Sequence, residues 1–389
     1  MTDNRLFSII PYKNQLIKLD KAISAIAYYQ HHAIDLLSGN TFSFKFNDWI
    51  ESAQKKLLYE SENSPRVIHL FYELGFLIEQ DFHLLSEESL LVIDIQFSSY
   101  NKILPEAYEK IQLKARQFPD FIAYKKSFSE GYEELLKGNC YQFNLTCPYQ
   151  YFFDEKYLPE DFIFSLWKDE SSRGAFGSAT FIPFFNKLFL SNSPECLFQY
   201  KENILSAMPI KGTIKRNDGE AWLPLWRILN SDVKSQAELY MISDLLRNDL
   251  SRIEFPRAQV VKKKFPKLVP GLLHQCSQIN VELSKNVNLW RVIEKIFPGG
   301  SITGAPKKSA MRLLHSLEKR DRGFYCGSTL ILFKQMKSAS INIRSSVVDF
   351  KNQTLLYQAG GGITLLSDAE EEFKEMTYKH DSFIHTLTL

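Results

Sequence analysis

Along this chain, strand-like segments adjoin one another more often than they alternate with helical ones, and that order constrains the fold most. Parallel sheets need a crossover, usually a helix, between neighbouring strands, whereas antiparallel sheets do not. The pattern therefore predicts an α+β fold with antiparallel sheets rather than a doubly wound one. Strands are predicted at 90–95, 141–145, 188–190, 197–200, 340–344 and 355–358, and helices at 234–249, 289–296, 306–319 and 368–381. A further helix runs through Tyr132, Leu135 and Leu136 and ends near Gly138. Residues 1–120 carry no recognisable chemistry and read as scaffold packed on a core made by 121–389.

Composition narrows the function classes. The 389 residues have a formal net charge of only +2, which excludes the strong positive field of a nucleic-acid binder. The Lys262-Lys263-Lys264 cluster reads as a solvated strand or loop face. The five cysteines lack the paired spacing of a zinc site or redox dithiol and suit a reducing compartment. No stretch approaches the roughly 20 apolar residues of a membrane span, and no signal-like segment follows Met1. A soluble, cytoplasmic protein is expected.

The run from Phe297 to Lys308 joins a glycine turn to a helix that Pro306 is placed to start. Such a junction binds an anion through backbone N–H groups and the helix N-terminus, or is simply a helix start. Its spacing nearly imitates a nucleotide-binding loop, but Ala305 stands where the phosphate-binding lysine would follow Gly304, so a carboxylate-bearing metabolite suits it better than ATP.

Acids occupy unusual helical positions. Glu238 lies four residues before Ile242 and seven before Leu245, on the predicted core-facing stripe. Ser367-Asp368-Ala369-Glu370 has a capping-box pattern, and Glu372, Glu375, Met376 and Lys379 share one helix face beyond it. Magnesium would satisfy carboxylates from both helices, since it takes a few oxygens and leaves positions for substrate; the alternative is two salt-bridged surface faces. Lys211, between apolar Ile210 and Gly212, is either a lysine whose burial frees it as a nucleophile, with Glu195 to accept its proton, or a turn residue with its amine in water. Gly360-Gly361-Gly362 after a strand either presents N–H groups to an anion or forms a loop or bulge. Arg344 offers a planar fork for a carboxylate or an internal salt bridge.

Taken together, from about 125 to 385, these segments resemble the chorismate-binding enzymes: anthranilate synthase component I, aminodeoxychorismate synthase component I, isochorismate synthase and salicylate synthase. The resemblance runs through Gly138–Leu145, Ser193-Pro194-Glu195, the Lys211 segment, Ala237-Glu238 to Leu250, Ser301–Lys307, Ile343-Arg344, the triple glycine and Glu372–Lys379. It implies a sandwich of two antiparallel β-sheets flanked by helices and a site that holds chorismate through Mg2+. By position, Glu238 and Glu375 resemble the metal ligands, and Glu372 the holder of a metal-bound water. Tyr325 and Arg344 match residues that hold the enolpyruvyl carboxylate. Gly360, Gly361, Gly362, Ser301, Gly212 and Thr213 match the surroundings of the ring carboxylate and C4 hydroxyl, and His274 matches an active-site histidine.

Within that family, members that add water at C2 resemble one another in having a lysine where this chain has Gln142, which disfavours water activation. Lysine at 211, where anthranilate synthases usually carry alanine, resembles aminodeoxychorismate synthase component I, as does Tyr325-Cys326-Gly327-Ser328. The resemblance then implies Lys211 as nucleophile, Glu195 as acid/base group, a glutamine amidotransferase that supplies ammonia and a separate lyase acting downstream towards p-aminobenzoate and folate. Ser345, Ser251 and Thr329-Leu330 depart from the family's usual residues and bear on fine substrate positioning. No serine motif for feedback tryptophan stands in the N-terminal region. Anthranilate synthase component I and a non-catalytic chorismate-binding regulatory subunit are the alternative readings.

Overall fold

The computed structural model describes residues 5–56, 58, 64–105, 108–216, 219–255, 257–269 and 272–388. Among them every strand pairing is antiparallel. One hydrogen-bonded ladder runs from the hairpin Gln259–Val269/Leu272–Glu282 through Ile204–Ala207, Cys196–Lys201, Met336–Ser340 and Ser328–Phe333. It continues through Arg66–Leu70, Val92–Ile103, Gln15–Tyr28, Phe7–Tyr12 and Ser178–Ile182. Lys187–Ser191, Ser345–Asp349, Thr354–Ile363 and Gln142–Phe152 complete it.

The ladder folds back so that its halves pack face to face. Tyr12 meets Phe333 with ring centroids 5.1 Å apart, and Phe189 meets Phe71 at 5.7 Å. This inner layer buries Ile10, Leu19, Ile95 and Phe97 from strands of the first hundred residues. Helices cover both outer faces, with Phe46–Lys55, Val233–Ser251 and Leu289–Ile296 over one apolar cluster. Phe121–Leu136, Pro159–Leu166 and Ala369–Thr388 lie over the other. The α+β reading and the sandwich are as the sequence led us to expect. The first 120 residues are woven into the same ladder, with Phe7–Tyr12 pairing to Ser178–Ile182 and Arg66–Leu70 to Ser328–Phe333.

Three local expectations are corrected. The strand predicted at 340–344 is interrupted: Ile341 N–H bonds Glu195 O, Asn342 N–H bonds Gly327 O, and Arg344 takes φ +52°. Loop partners have claimed the backbone groups a strand would use. Pro306 flanks its helix (Lys307–Glu318) instead of starting it, because Gly304–Ala305 first pairs with Phe143 and Gln142. The last helix is capped by Asp368, which accepts from Glu370 N–H and Glu371 N–H, and it runs on to Thr388 because Phe383 and Leu387 extend its buried face. No helix among the described residues is long and apolar enough to cross a membrane.

Candidate active site

Lys211 sits on the strand Ile210–Lys215 at a bulge. The register against Leu272–Glu282 slips between Ile210↔Cys276 and Thr213↔His274, and Gly212 has φ +74°. A bulge with a left-handed glycine re-aims its neighbours. A Cβ on Gly212 would also lie 2.9 Å from both Leu229 Cδ1 and Ser235 Oγ, so both backbone and space require glycine there. The Lys211 side chain is 18% exposed, with Nζ 3.8 Å from Glu238 Oε2. The solvated-turn reading of this lysine does not hold.

The triple glycine is where the other elements converge. A Cβ on Gly362 would stand 2.5 Å from Gln142 Nε2 and 3.8 Å from Lys211 Nζ, and one on Gly361 would stand 2.8 Å from Glu372 Oε2. Lys379 Nζ donates to Gly360 O at 2.9 Å. Consecutive residues of a strand face opposite sides, so the lysine strand and the C-terminal helix approach this one backbone from its two faces. Side chains at these positions would fill the space the flanking groups now occupy.

Glu195 is buried at the start of the strand Cys196–Lys201. Its backbone is pinned on both sides, N–H to Ser193 Oγ at 3.2 Å and C=O from Ile341 N–H at 3.0 Å. Burial pushes its carboxyl up to about 7, against the opposing pull of the Lys211 charge, the Ser301 hydroxyl and the Lys267 charge. Ser301 Oγ, on the short helix Gly300–Thr303, is buried without a well-formed hydrogen-bond partner. A carboxyl that titrates near neutrality beside a lysine is suited to moving a proton between them.

His274 lies opposite Thr213 in the sheet and shares a 2.9 Å hydrogen bond with its hydroxyl. Burial pulls its pKa down to about 4, helped by the charges of Lys267 and Arg344, so the ring is neutral at neutral pH. Arg344 Nη1 and Tyr357 OH both donate to Lys379 O at 3.2 Å. Arg344 thus spends part of its fork on backbone, and among the described residues it makes no salt bridge. Tyr325 is buried, and burial raises its hydroxyl well above the ordinary value, which keeps it a proton donor.

The predicted acids are placed unequally. Glu238 is half-buried on the flank of its helix, whose buried stripe is Leu239, Ile242, Leu246 and Leu250, so its predicted place on the core stripe is corrected. Glu372 is buried and accepts from Ser367 Oγ at 2.8 Å, whereas Glu375 is 56% exposed and pairs with Lys379 at 2.8 Å. Among the described residues no three His, Cys, Asp or Glu side chains gather as a metal-binding group. The donors are nevertheless hard carboxylate oxygens, and two of them each face an ammonium. Magnesium needs few protein ligands when substrate and water complete its shell, so this chemistry suits it.

Sequence reading missed Lys267, which pairs in register with His274 and is half-buried beside Phe176. Register shifts at Val260/Lys262 and Lys262/Phe265 break the alternation that would have assigned its face. In the nearby lysine cluster Lys262 and Lys263 are exposed, as expected of a solvated face, whereas Lys264 is half-buried and donates to Asn230 O.

Residues 30–385 match the chorismate binding enzyme family. An uncharacterized PabA-like protein of Pasteurella multocida is 31% identical over 263 residues, which cover 66% of this chain and 75% of that protein. Aminodeoxychorismate synthase component 1 of Salmonella typhimurium is 34% identical over 267 residues, 68% of this chain but only 57% of that longer relative. Anthranilate synthase component I from Streptococcus pneumoniae has the same fold, with a TM-score of 0.78 at 20% identity over 96% of this chain and 93% of that one. A match across nearly the whole length, on a fold that brings Lys211, Glu195 and the triple glycine together, establishes that this chain belongs to the chorismate binding enzymes.

Proposed function

We propose that the chain acts as aminodeoxychorismate synthase component I, converting chorismate and ammonia into 4-amino-4-deoxychorismate. The observation that carries this reading is Lys211, aimed by a bulge at the triple-glycine strand, with a buried Glu195 that titrates at about 7. Lys211 gives a proton to Glu195, and the free amine attacks C2 of the substrate. The C2–N bond forms, both ring double bonds shift by one position, and the C4–O bond breaks as Glu195 returns the proton to the departing hydroxyl, releasing water. Ammonia then attacks C4, both double bonds shift back, the C2–N bond breaks, and the proton shed by the new C4 ammonium restores the charged lysine.

The chain's other residues bind and orient. Arg344 and Tyr325 offer donors to the enolpyruvyl carboxylate. Gly360–Gly362, Ser301, Gly212 and Thr213 surround the ring carboxylate and C4 hydroxyl, with neutral His274 hydrogen-bonded to Thr213. Magnesium, held by Glu238 and Glu375 with Glu372 behind them, would add positive charge at the ring carboxylate. Ammonia comes from a glutamine amidotransferase, and pyruvate leaves in a later step on a separate lyase. A supply of p-aminobenzoate for folate follows from that sequence.

The deciding test incubates purified protein with chorismate, magnesium and an ammonium salt. The proposal expects p-aminobenzoate only after a lyase is added. Fluorescent anthranilate formed directly would favour anthranilate synthase component I, whose fold this chain shares, and chorismate bound but never consumed would favour the regulatory subunit. Because Glu195 must be ionised to accept the lysine proton, kcat/KM is expected to fall about tenfold per pH unit below about 7 and to level off above it. Glu195→Gln should abolish that limb together with most of the activity. A profile flat between pH 5.5 and 8 in the wild type would exclude this role.

A further inference from the structure

The cations of the site are not used alike. Lys211 faces Glu238 and Lys379 faces Glu375, whereas Lys267 has no carboxylate partner within ion-pair distance among the described residues. Lys267 is half-buried on the strand Gln259–Val269, directly opposite His274. Its Nζ stands 5.7 Å over the ring of Phe176, whose N–H bonds Ser193 O, two residues before Glu195. Its charge is felt at both Glu195 and His274, and the charge of Arg344 reaches His274 as well. Two cations therefore flank one uncharged ring. A half-buried ammonium with no carboxylate at ion-pair distance is left open to an anionic ligand group. Glu195 supplies that compensation only in part, since burial raises its carboxyl to about 7.

We propose that Lys267 is a positioning residue that grips a carboxylate of the substrate from the strand opposite His274, sharing the substrate's negative charge with Arg344. This rests on the reading that the site takes chorismate, a dicarboxylate. It makes the long hairpin Gln259–Val269/Leu272–Glu282 part of the binding surface and not only a sheet edge. The Phe176 ring holds the amine in place while leaving its donors free.

The test compares wild type, Lys267→Met and Lys267→Arg with chorismate and magnesium, by calorimetric binding and by steady-state kinetics. Methionine keeps the apolar stem and removes the charge. Lys267→Met is expected to raise KM and Kd for chorismate by about 10- to 100-fold while kcat changes less than about threefold, and Lys267→Arg to recover most of the loss. The wild-type Kd is expected to weaken with added salt more steeply than that of Lys267→Met. Unchanged chorismate affinity in a folded Lys267→Met, beside normal wild-type binding, would overturn this inference and leave the functional proposal standing. Wild-type protein that binds no chorismate would overturn both. A fall in kcat alone, with Kd intact, would assign Lys267 to Glu195 instead of to the substrate and equally overturn it.

Discussion

Lys211→Ala is expected to lower the rate of ammonia-dependent product formation by about 10³-fold, equivalent to about 4 kcal/mol of lost transition-state stabilisation. The reason is local. The lysine is the only group we assign to form the bond at C2, and the bulge at Gly212 aims it at the triple glycine. Chorismate should still bind within about tenfold of the wild-type Kd, because the groups that hold its carboxylates remain. Removing the amine also frees Glu238, at 3.8 Å, from its ammonium. A lyase-coupled p-aminobenzoate assay reads the rate, and calorimetry reads the binding. Mass spectrometry of wild type with chorismate and no ammonia should localise a mass increase to Lys211. A variant that keeps more than a tenth of the wild-type rate would remove the covalent route.

Arg322→Leu is expected to destabilise the fold by about 3–5 kcal/mol. Arg322 and Glu318 have side-chain exposures of 1% and 2%, and the guanidinium donates to both Glu318 oxygens at 2.8 and 2.9 Å. It also donates to Ile302 O at 2.8 Å and Asn144 O at 2.6 Å. Burial alone would raise the Glu318 carboxyl, but the arginine holds it below its ordinary value. Leucine would leave that charge buried, with Arg320 at 3.9 Å and Thr146 as its remaining partners. Since the folded carboxyl is the stronger acid, the stability it contributes is present above the ordinary carboxylate pKa and fades as pH falls. Denaturant melts at pH 7 and pH 4 should therefore differ more for wild type than for Arg322→Leu. The change also reaches the site, because Ile302 follows Ser301 and Asn144 pairs in register with Gly362. A loss under about 1 kcal/mol would show the network to be replaceable.

Both predictions depend on groups whose legibility in the sequence differed. Lys211 stood out because an amine between apolar residues and a glycine breaks local pattern, and the triple glycine because it could offer backbone N–H groups to an anion, although the structure pairs it within the strand Thr354–Ile363 and not after one. The adjacency of strand segments predicted antiparallel sheets, since the lack of intervening helices is a property of the chain itself. Glu238 was misplaced by periodicity, because 3.6-residue spacing cannot separate the centre of a buried stripe from its flank when Leu239 competes for the centre. Arg322 carried no local signal, since its worth lies in carbonyls from residues 144 and 302 that only the fold delivers.

What the chain determined alone was therefore what acts over a few residues: strand and helix periods, the glycine that permits a bulge, and the residue types able to grip carboxylates. Only the tertiary structure decided which charges face one another. Lys267 meets His274 because strand register brings residues seven apart in sequence into a pair, and Glu195 titrates near 7 because residues from distant segments exclude water around it. Desolvation and register are sums over the whole packed chain, so neither is written in any window of the sequence.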